Sequence, residues 1–264
     1  MQLDYWQKQT RKEPLYSDLL WNLPEQKQGS VSVIGGNSQS FASAYRISEY
    51  LLNHFPLKTV QLVLPDSLRG SLPPLSNITF TPSTDSGSFA KSPELRSACT
   101  NSASNLLIGD FSKNSATTIA LIDAVKSTPD TPLILARDTI DLLTPEAQNF
   151  ISRKNLTIIA SAAQLQKLFR ALYYPKMILL SQPLTALLET LHKFTLSYPC
   201  TLVTYHAEQI IIANNGHVTT TPISDTPYTP LSLWNGQLAA KIAVFQQFNP
   251  SKPLEAATAA ILYE

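Results

Sequence analysis

Apolar positions along this chain alternate between two rhythms. Short apolar runs, each ended by glycine or polar residues, read as buried strands: Val31-Ser32-Val33-Ile34, Val60 to Leu64, Leu106-Leu107-Ile108, Leu133-Ile134-Leu135, Leu156 to Ile159 and Thr201 to Thr204. Between them, apolar residues recur at helical spacing. Phe41, Ala44, Tyr45, Leu51, Leu52 and Phe55 form one stripe, stopped at Pro56; Ile119, Ile122 and Val125 form the next. Residues 145–153 read as helical. Leu165, Leu168, Phe169 and Leu172 line a further helix, and Leu184, Leu187, Leu188 and Leu191 another. Late in the chain, Ile210 to Ala213 and His217 to Thr221 flank Asn214-Asn215-Gly216, which reads as a β-hairpin. Two helices close the chain. Leu238, Ile242 and Phe245 mark the first, which Asn249-Pro250 stops, and Pro253 opens the second in the position proline favours.

Strand–helix alternation over nearly the whole length predicts one domain, residues 1–264: a three-layer α/β/α sandwich with a mostly parallel central sheet and a late β-hairpin. Residues 1–28 read as an N-terminal extension, with a helix ending near Leu19 to Asn22 and a polar linker from Pro24 to Gly29. Residues 70–104, rich in Ser, Pro and Thr, read as an excursion or an active-site flap with one short strand, Ile78-Thr79-Phe80.

Parallel α/β sheets bind ligands beyond the carboxyl ends of their strands. The residues at those ends are Gly35, Gly36 and Asn37; Gly109 and Asp110; Arg137 and Asp138; Tyr205 and His206; and, opening the late helix, Asn235 and Gly236. Gly35, Gly36, Asn37, Gly109, Asp110 and Asp138 are candidate substrate contacts. Asn235, Gly236 and His206 are candidate nucleotide or phosphate contacts, because helix amino ends attract anions. Asp138 is the one candidate for a catalytic carboxylate. Asp225, in the loop before the late helix, is a candidate substitute base.

Composition narrows the classes. Hydrophobic residues make up 44% and charged residues 15%, which supports a sizeable core. A net charge of +1 without a basic run argues against a nucleic-acid partner. No apolar run approaches the roughly 18 residues of a membrane span. Met1 to Glu13 lack an apolar segment of secretory type, so a cytoplasmic location is expected. Cys99 and Cys200 read as ordinary thiols, and the four histidines show no ligand spacing, so no metal site is expected. Eight glycines in 264 residues is about 3%, below the usual ~7%, and leaves few loops able to bring backbone amides against a phosphate.

The order of these pieces resembles the ribokinase-like superfamily, and more narrowly its ADP/ATP-dependent NAD(P)H-hydrate dehydratases. Lys27-Gln28-Gly29 followed by Val33-Ile34-Gly35-Gly36-Asn37 is similar to that family's Lys-Gly, strand and Gly-Gly-Ser opening. Leu106 to Gly109 resembles the strand before its Gly-Pro-Gly-Leu-Gly loop. Leu135-Ala136-Arg137-Asp138-Thr139-Ile140-Asp141-Leu142-Leu143 resembles its Leu-Asp-Ala-Asp-Ala-Leu-Asn-Leu-Leu. Pro253-Leu254-Glu255-Ala256-Ala257 matches its closing helix. The resemblance implies phosphorylation of a hydrated NAD(P)H hydroxyl from ADP or ATP with Mg, then elimination of phosphate, with a homo-oligomer compatible.

The departures fall on the chemistry. Leu233-Trp234-Asn235-Gly236 aligns with Gly-Thr-Gly-Asp, whose Asp acts as base in the family, and glycine cannot be a base. Ala160-Ser161-Ala162-Ala163-Gln164 lacks the His and Glu of Thr-Pro-His-Pro-Gly-Glu. Thr204-Tyr205-His206 lacks the Lys of Leu-Lys-Gly. Gly109-Asp110-Phe111-Ser112-Lys113 keeps only the first glycine of its loop. The expectation is a diverged dehydratase-like protein with eroded motifs. The alternatives are a non-catalytic ligand- or partner-binding homologue and a small-molecule kinase.

Overall fold

The computed structural model describes residues 4–72 and 76–263; the Pro73-Pro74 pair of the Ser/Pro-rich stretch lies outside the described residues. Among the described residues, ten strands form one sheet: β1 (Trp6–Lys8), β2 (Gln28–Gly35), β3 (Leu57–Pro65), β4 (Ile78–Thr81), β5 (Ser104–Gly109), β6 (Leu133–Ala136), β7 (Leu156–Ile159), β8 (Thr201–His206), β9 (Gln209–Asn214) and β10 (His217–Pro222). Their spatial order is β1-β10-β9-β8-β7-β6-β5-β2-β3-β4. Pairing is parallel from β8 through to β4, antiparallel across β8, β9 and β10, and parallel again between β10 and β1. Among the same residues, eight α-helices accompany them: α1 (Ala42–His54), α2 (Pro93–Thr100), α3 (Ser115–Lys126), α4 (Thr139–Leu143), α5 (Ala162–Ala171), α6 (Leu184–Ser197), α7 (Gln237–Phe248) and α8 (Pro253–Leu262).

Strand residues alternate between the two faces of the sheet. On β5, Leu107 joins one apolar cluster while Leu106 and Ile108 join the other; on β9, Ile211 and Ala213 oppose Ile210 and Ile212. The first cluster carries apolar residues of α2 to α6, and the second carries those of α1, α7 and α8. Because both faces are covered, strand interiors are apolar on each side, which is why they appear in sequence as near-continuous runs. The fold is thus the mixed α/β sandwich expected, with a mostly parallel sheet and a late hairpin.

Four details differ from the sequence reading. Residues 145–153, read as helical, form only a short 3-10 segment at Thr144–Asn149. Residues 1–28 supply an edge strand, β1, and a short 3-10 turn at Ser17–Trp21 in place of a helix, and β2 starts inside the stretch read as linker. The 70–104 excursion contains a helix, α2, whose Ser92 side chain accepts from Leu95 N–H and whose first residue is Pro93. Ile119 points outward at 58% exposure; Ala120, Leu121 and Ala124 join Ile122 and Val125 on the buried side of α3.

The chain proceeds from β2 outward to β3 and β4, then returns past β2 to β5 and continues the other way to β8. The switch point therefore lies between the carboxyl ends of β2 and β5, where sheets of this kind open a binding crevice.

Candidate functional site

The ends of β2, β5 and β6 meet at Asp110. Its backbone is left-handed (φ 60°), as is that of Arg137 (φ 58°). Such conformations cost roughly 1–3 kcal/mol each when a side chain is present and persist only where the surroundings enforce them. The enforcement at Asp110 is complete. Its N–H donates to both Asp138 carboxylate oxygens, each at 3.1 Å. Its carbonyl accepts from Asn37 Nδ2 at 2.7 Å. Its Oδ1 accepts from Arg137 Nη2 at 3.1 Å, and its Oδ2 accepts from Ser43 N–H, in the first turn of α1, at 3.3 Å. Phe41 gives α1 no side-chain cap, so Asp110 places its charge at that helix's positive end from another element.

The glycines at these strand ends are required by close approach. A Cβ on Gly109 would lie 1.9 Å from Asp138 Oδ1, so the carboxylate occupies the space a side chain would need. A Cβ on Gly35 would lie 2.7 Å from the Gly109 carbonyl oxygen, and Gly36 N–H donates to that same oxygen at 2.9 Å. The β2–β5 register shifts at this point. Asn37 completes the corner: its Oδ1 accepts from the N–H groups of Gln39 and Ser40 at 2.8 and 3.1 Å.

Asp138 and Asp110 thus have donors on all four carboxylate oxygens. Both Asp138 oxygens share the single Asp110 N–H, so each keeps a further lone pair toward the crevice. Among the described residues, no group of three or more His, Cys, Asp or Glu side chains is placed to hold a metal. Arg137 is held further by Gln164, whose Nε2 donates to the Arg137 carbonyl at 2.8 Å and to Asp141 Oδ2 at 2.9 Å. The Arg137 Nε is buried without an acceptor.

Beside this hub a cleft of about 580 Å³ opens between α3, α4 and α5, lined among others by Lys113, Thr118, Asp141 and Lys167. Burial there pushes the Asp141 carboxyl up, but hydrogen bonds from Lys167 and Gln164 and the charges of Lys167 and Lys113 outweigh it and hold it below the usual carboxylate range.

On the opposite face, α7 points its amino end at the switch point. Gly236 precedes it with φ 102°, and a Cβ there would lie 2.6 Å from Ile108 Cδ1 and 3.2 Å from Ile47. α7 is therefore seated directly on β5 and α1. Asn235 Oδ1 accepts from Gln237 N–H at 2.8 Å. The first turn of α7 carries no acidic residue. Asp225 lies elsewhere, its Oδ2 accepting from Arg11 N–H at 3.0 Å. The amino end of α7 suits an anion electrostatically, and it offers no side chain able to take a proton from a substrate hydroxyl.

Of the candidate residues, the structure brings together Gly35, Gly36, Asn37, Gly109, Asp110 and Asp138, with Gly236 and Asn235 on the adjoining face. His206 stands apart, three strands from β5 or roughly 14 Å at ordinary strand spacing. Its Nε2 donates to the Gln182 carbonyl at 2.8 Å, tying the α5–α6 connection to the end of β8. Ser43 and Gln164 were not identified as site residues from the sequence. A backbone donor leaves no compositional trace, but Gln164 was visible as the N3 residue of a Ser161 capping box.

No protein-family model matches the chain, and no curated protein matches it. Solved structures do. A ribokinase-like superfamily protein from Enterococcus faecalis V583 aligns over 100% of this chain and 88% of its own, with TM-score 0.68 and 13% identity. YxkO of Bacillus subtilis, a UPF0031-family member described as a kinase candidate, aligns over 94% and 86%, with TM-score 0.59 and 14% identity. The ADP complex of Bacillus subtilis pyridoxal kinase aligns over 89% of each chain, with TM-score 0.51 and 12% identity. At these identities the likeness is one of fold, and that fold is ribokinase-like.

Proposed function

We propose that this chain is a diverged relative of the nucleotide-dependent NAD(P)H-hydrate dehydratases that binds ADP or ATP at the amino end of α7 without transferring a phosphoryl group. One observation carries the reading: the first turn of α7 contains no acid, while the carboxylates nearest the switch point, Asp110 and Asp138, are engaged by backbone amides and Arg137. Phosphoryl transfer to an alcohol depends on a group that orients and deprotonates the hydroxyl and on cations that offset charge on the phosphate. At the amino end of α7 no side chain supplies the first role, and Arg137, the cation beside the switch point, is paired with Asp110.

Binding is the part of the function that the geometry supports. The dipole of α7 favours a phosphate at its amino end, and Gly236 lets that end seat against Ile108 and Ile47 at the switch point. The likeness to YxkO and to an ADP-bound pyridoxal kinase supports a nucleotide as the anion. An active dehydratase is the second reading. It is favoured by Asp138, which stands at the end of β6 where the resembling family has a carboxylate.

The test is a thermal-shift titration with ATP, ADP and AMP, with and without magnesium. A nucleotide at 100 times its Kd adds about 2.7 kcal/mol to the folded state. The reading expects a shift with ADP or ATP; no shift with any nucleotide at millimolar concentration contradicts it.

A further inference from the structure

The Ser/Pro-rich excursion places one turn, residues 84–89, over the switch point on the face opposite α7. Asp85 and Ser86 are exposed at its tip, while Ser88 and Phe89 are fully buried at 0% exposure. Phe89 anchors it, packing edge-on against Phe111 just beyond β5 with ring centroids 5.5 Å apart. The Gly87 carbonyl accepts from Ser38 N–H at 2.8 Å and from Ser67 Oγ at 2.9 Å. Ser88 Oγ donates to the Gly36 carbonyl at 3.5 Å and accepts from Ser112 N–H at 3.2 Å. Ser112 Oγ donates to the Ser86 carbonyl at 3.1 Å, and Asn114 Nδ2 donates to Ser86 Oγ at 2.8 Å.

Gly36 and Ser38 sit on the loop that leaves β2, Ser112 and Asn114 on the loop that leaves β5, and Ser67 on the turn that follows β3. They form a neutral set of hydrogen-bond donors and one carbonyl acceptor, of the kind that reads hydroxyls and carbonyls rather than phosphate. The turn satisfies all of them with its own hydroxyls and carbonyls, and buries the Ser88 bridge between Gly36 and Ser112 completely.

We propose that the 84–89 turn is an autoinhibitory plug: a segment of the chain that occupies the substrate half of the switch-point crevice as an internal ligand. The latent site beneath it takes a polyhydroxylated, ribose-bearing small molecule. This rests on the proposed function for the choice of probe, NADH, and concerns the half of the site facing away from α7.

The turn has a specific weak point. Gly87 has φ 71°, and a Cβ there would lie 2.3 Å from Ser38 Oγ and 2.4 Å from Ser38 Cβ, so Gly87→Ala must lift the turn from the β2 loop. Ser88→Ala removes the hydroxyl that bridges Gly36 and Ser112 without adding a clash.

Two measurements on the full chain test the plug. The first is thiol labelling of Ser88→Cys, with the buried native Cys99 and Cys200 as internal references. A seated turn labels within about tenfold of the Cys200 rate, because only rare opening exposes either thiol; labelling as fast as an exposed thiol overturns the proposal. The second is NADH binding by fluorescence. Gly87→Ala and Ser88→Ala are expected to bind NADH at least about tenfold more tightly than the unaltered chain. Equal affinity in all three, including no binding in any, overturns it. If Gly87→Ala does not fold, Ser88→Ala decides the matter. ADP binding to the unaltered chain is measured in parallel: its absence alongside a gain in NADH binding rejects the nucleotide reading and leaves the plug standing.

Discussion

Asp138 turns both of its carboxylate oxygens toward one amide, the N–H of Asp110, each at 3.1 Å, and in doing so fills the space where Gly109 would carry a side chain. The carboxylate at the β6 end therefore works first as a clamp on the β5 end. Asp138→Ala leaves the Asp110 amide without its acceptors and frees the strained backbone. Loss of a charged acceptor from a partly buried donor costs about 1–3 kcal/mol. Urea denaturation is expected to show a loss in that range, and a change below the error of the method removes the clamp from the account.

Gly109→Ala is coupled to the same clamp. Its Cβ would fall 1.9 Å from Asp138 Oδ1, on a backbone with φ 96°. The substitution alone is expected to cost about 2 kcal/mol or more through clash and strain. In an Asp138→Ala background the clash disappears and only the backbone strain remains. A double-mutant cycle should give a coupling energy of about 0.5 kcal/mol or more in the direction of rescue. Additive effects contradict the packing described.

Acid stability has a specific contributor away from the site. Asp123 receives Arg96 Nε at 2.5 Å and Arg96 Nη2 at 2.8 Å, with Lys91 Nζ at 2.9 Å. The Arg96 hydrogen bonds, with help from Lys91, lower its carboxyl to about 2 against the opposing effect of desolvation. Because the folded-state value is depressed, its stabilisation is present above the unfolded value near 4 and is lost as pH falls toward 2. The pair lies near solvent, so its net contribution is under about 1 kcal/mol. Asp123→Asn should lower stability at pH 7 slightly and leave stability at pH 2 unchanged; an equal loss at both pH values rejects the ion pair as the cause.

Both native thiols are shielded. Burial pushes Cys99 and Cys200 up to about 12, and their residues are 3% and 0% exposed. Since the thiolate is the reactive form, neither should react with a thiol reagent at pH 8 in the folded chain, and both should react in denaturant. Rapid labelling of either in native buffer contradicts the packing of the first apolar cluster.

The architecture was legible in the sequence because a doubly covered parallel sheet writes its strands as unbroken apolar runs and ends them at glycine or aspartate. The same punctuation marked Gly35, Gly36, Asn37, Gly109, Asp110 and Asp138, which the fold gathers at its switch point. β1 was not legible: three residues, Trp6 to Lys8, mostly exposed, carry no periodic signal. α2 was masked by its low hydropathy, although Ser92-Pro93-Glu94 held a helix-start signal. Ile119 fitted the stripe of α3, yet the buried side runs through Thr117, Ala120, Leu121, Ile122, Ala124 and Val125, which turns Ile119 outward. Residues 70–104 read as an excursion or an active-site flap, but the 84–89 turn did not stand out within them, because its contacts use hydroxyls and backbone carbonyls, which composition reads only as a loop. The same holds for His206, whose bond to the Gln182 carbonyl depends on a loop that sequence pattern could not place.

The proposed function gives a ribokinase-like fold a nucleotide-binding helix end without phosphoryl transfer. The most direct measurement is inorganic phosphate release from ADP and from ATP by the purified protein, with magnesium and hydrated NADH, followed over many equivalents of enzyme. The account predicts no release above the background without protein, alongside a thermal shift with the same nucleotides. Phosphate released in excess of the protein concentration, with matching recovery of NADH absorbance, would contradict it and establish an active dehydratase.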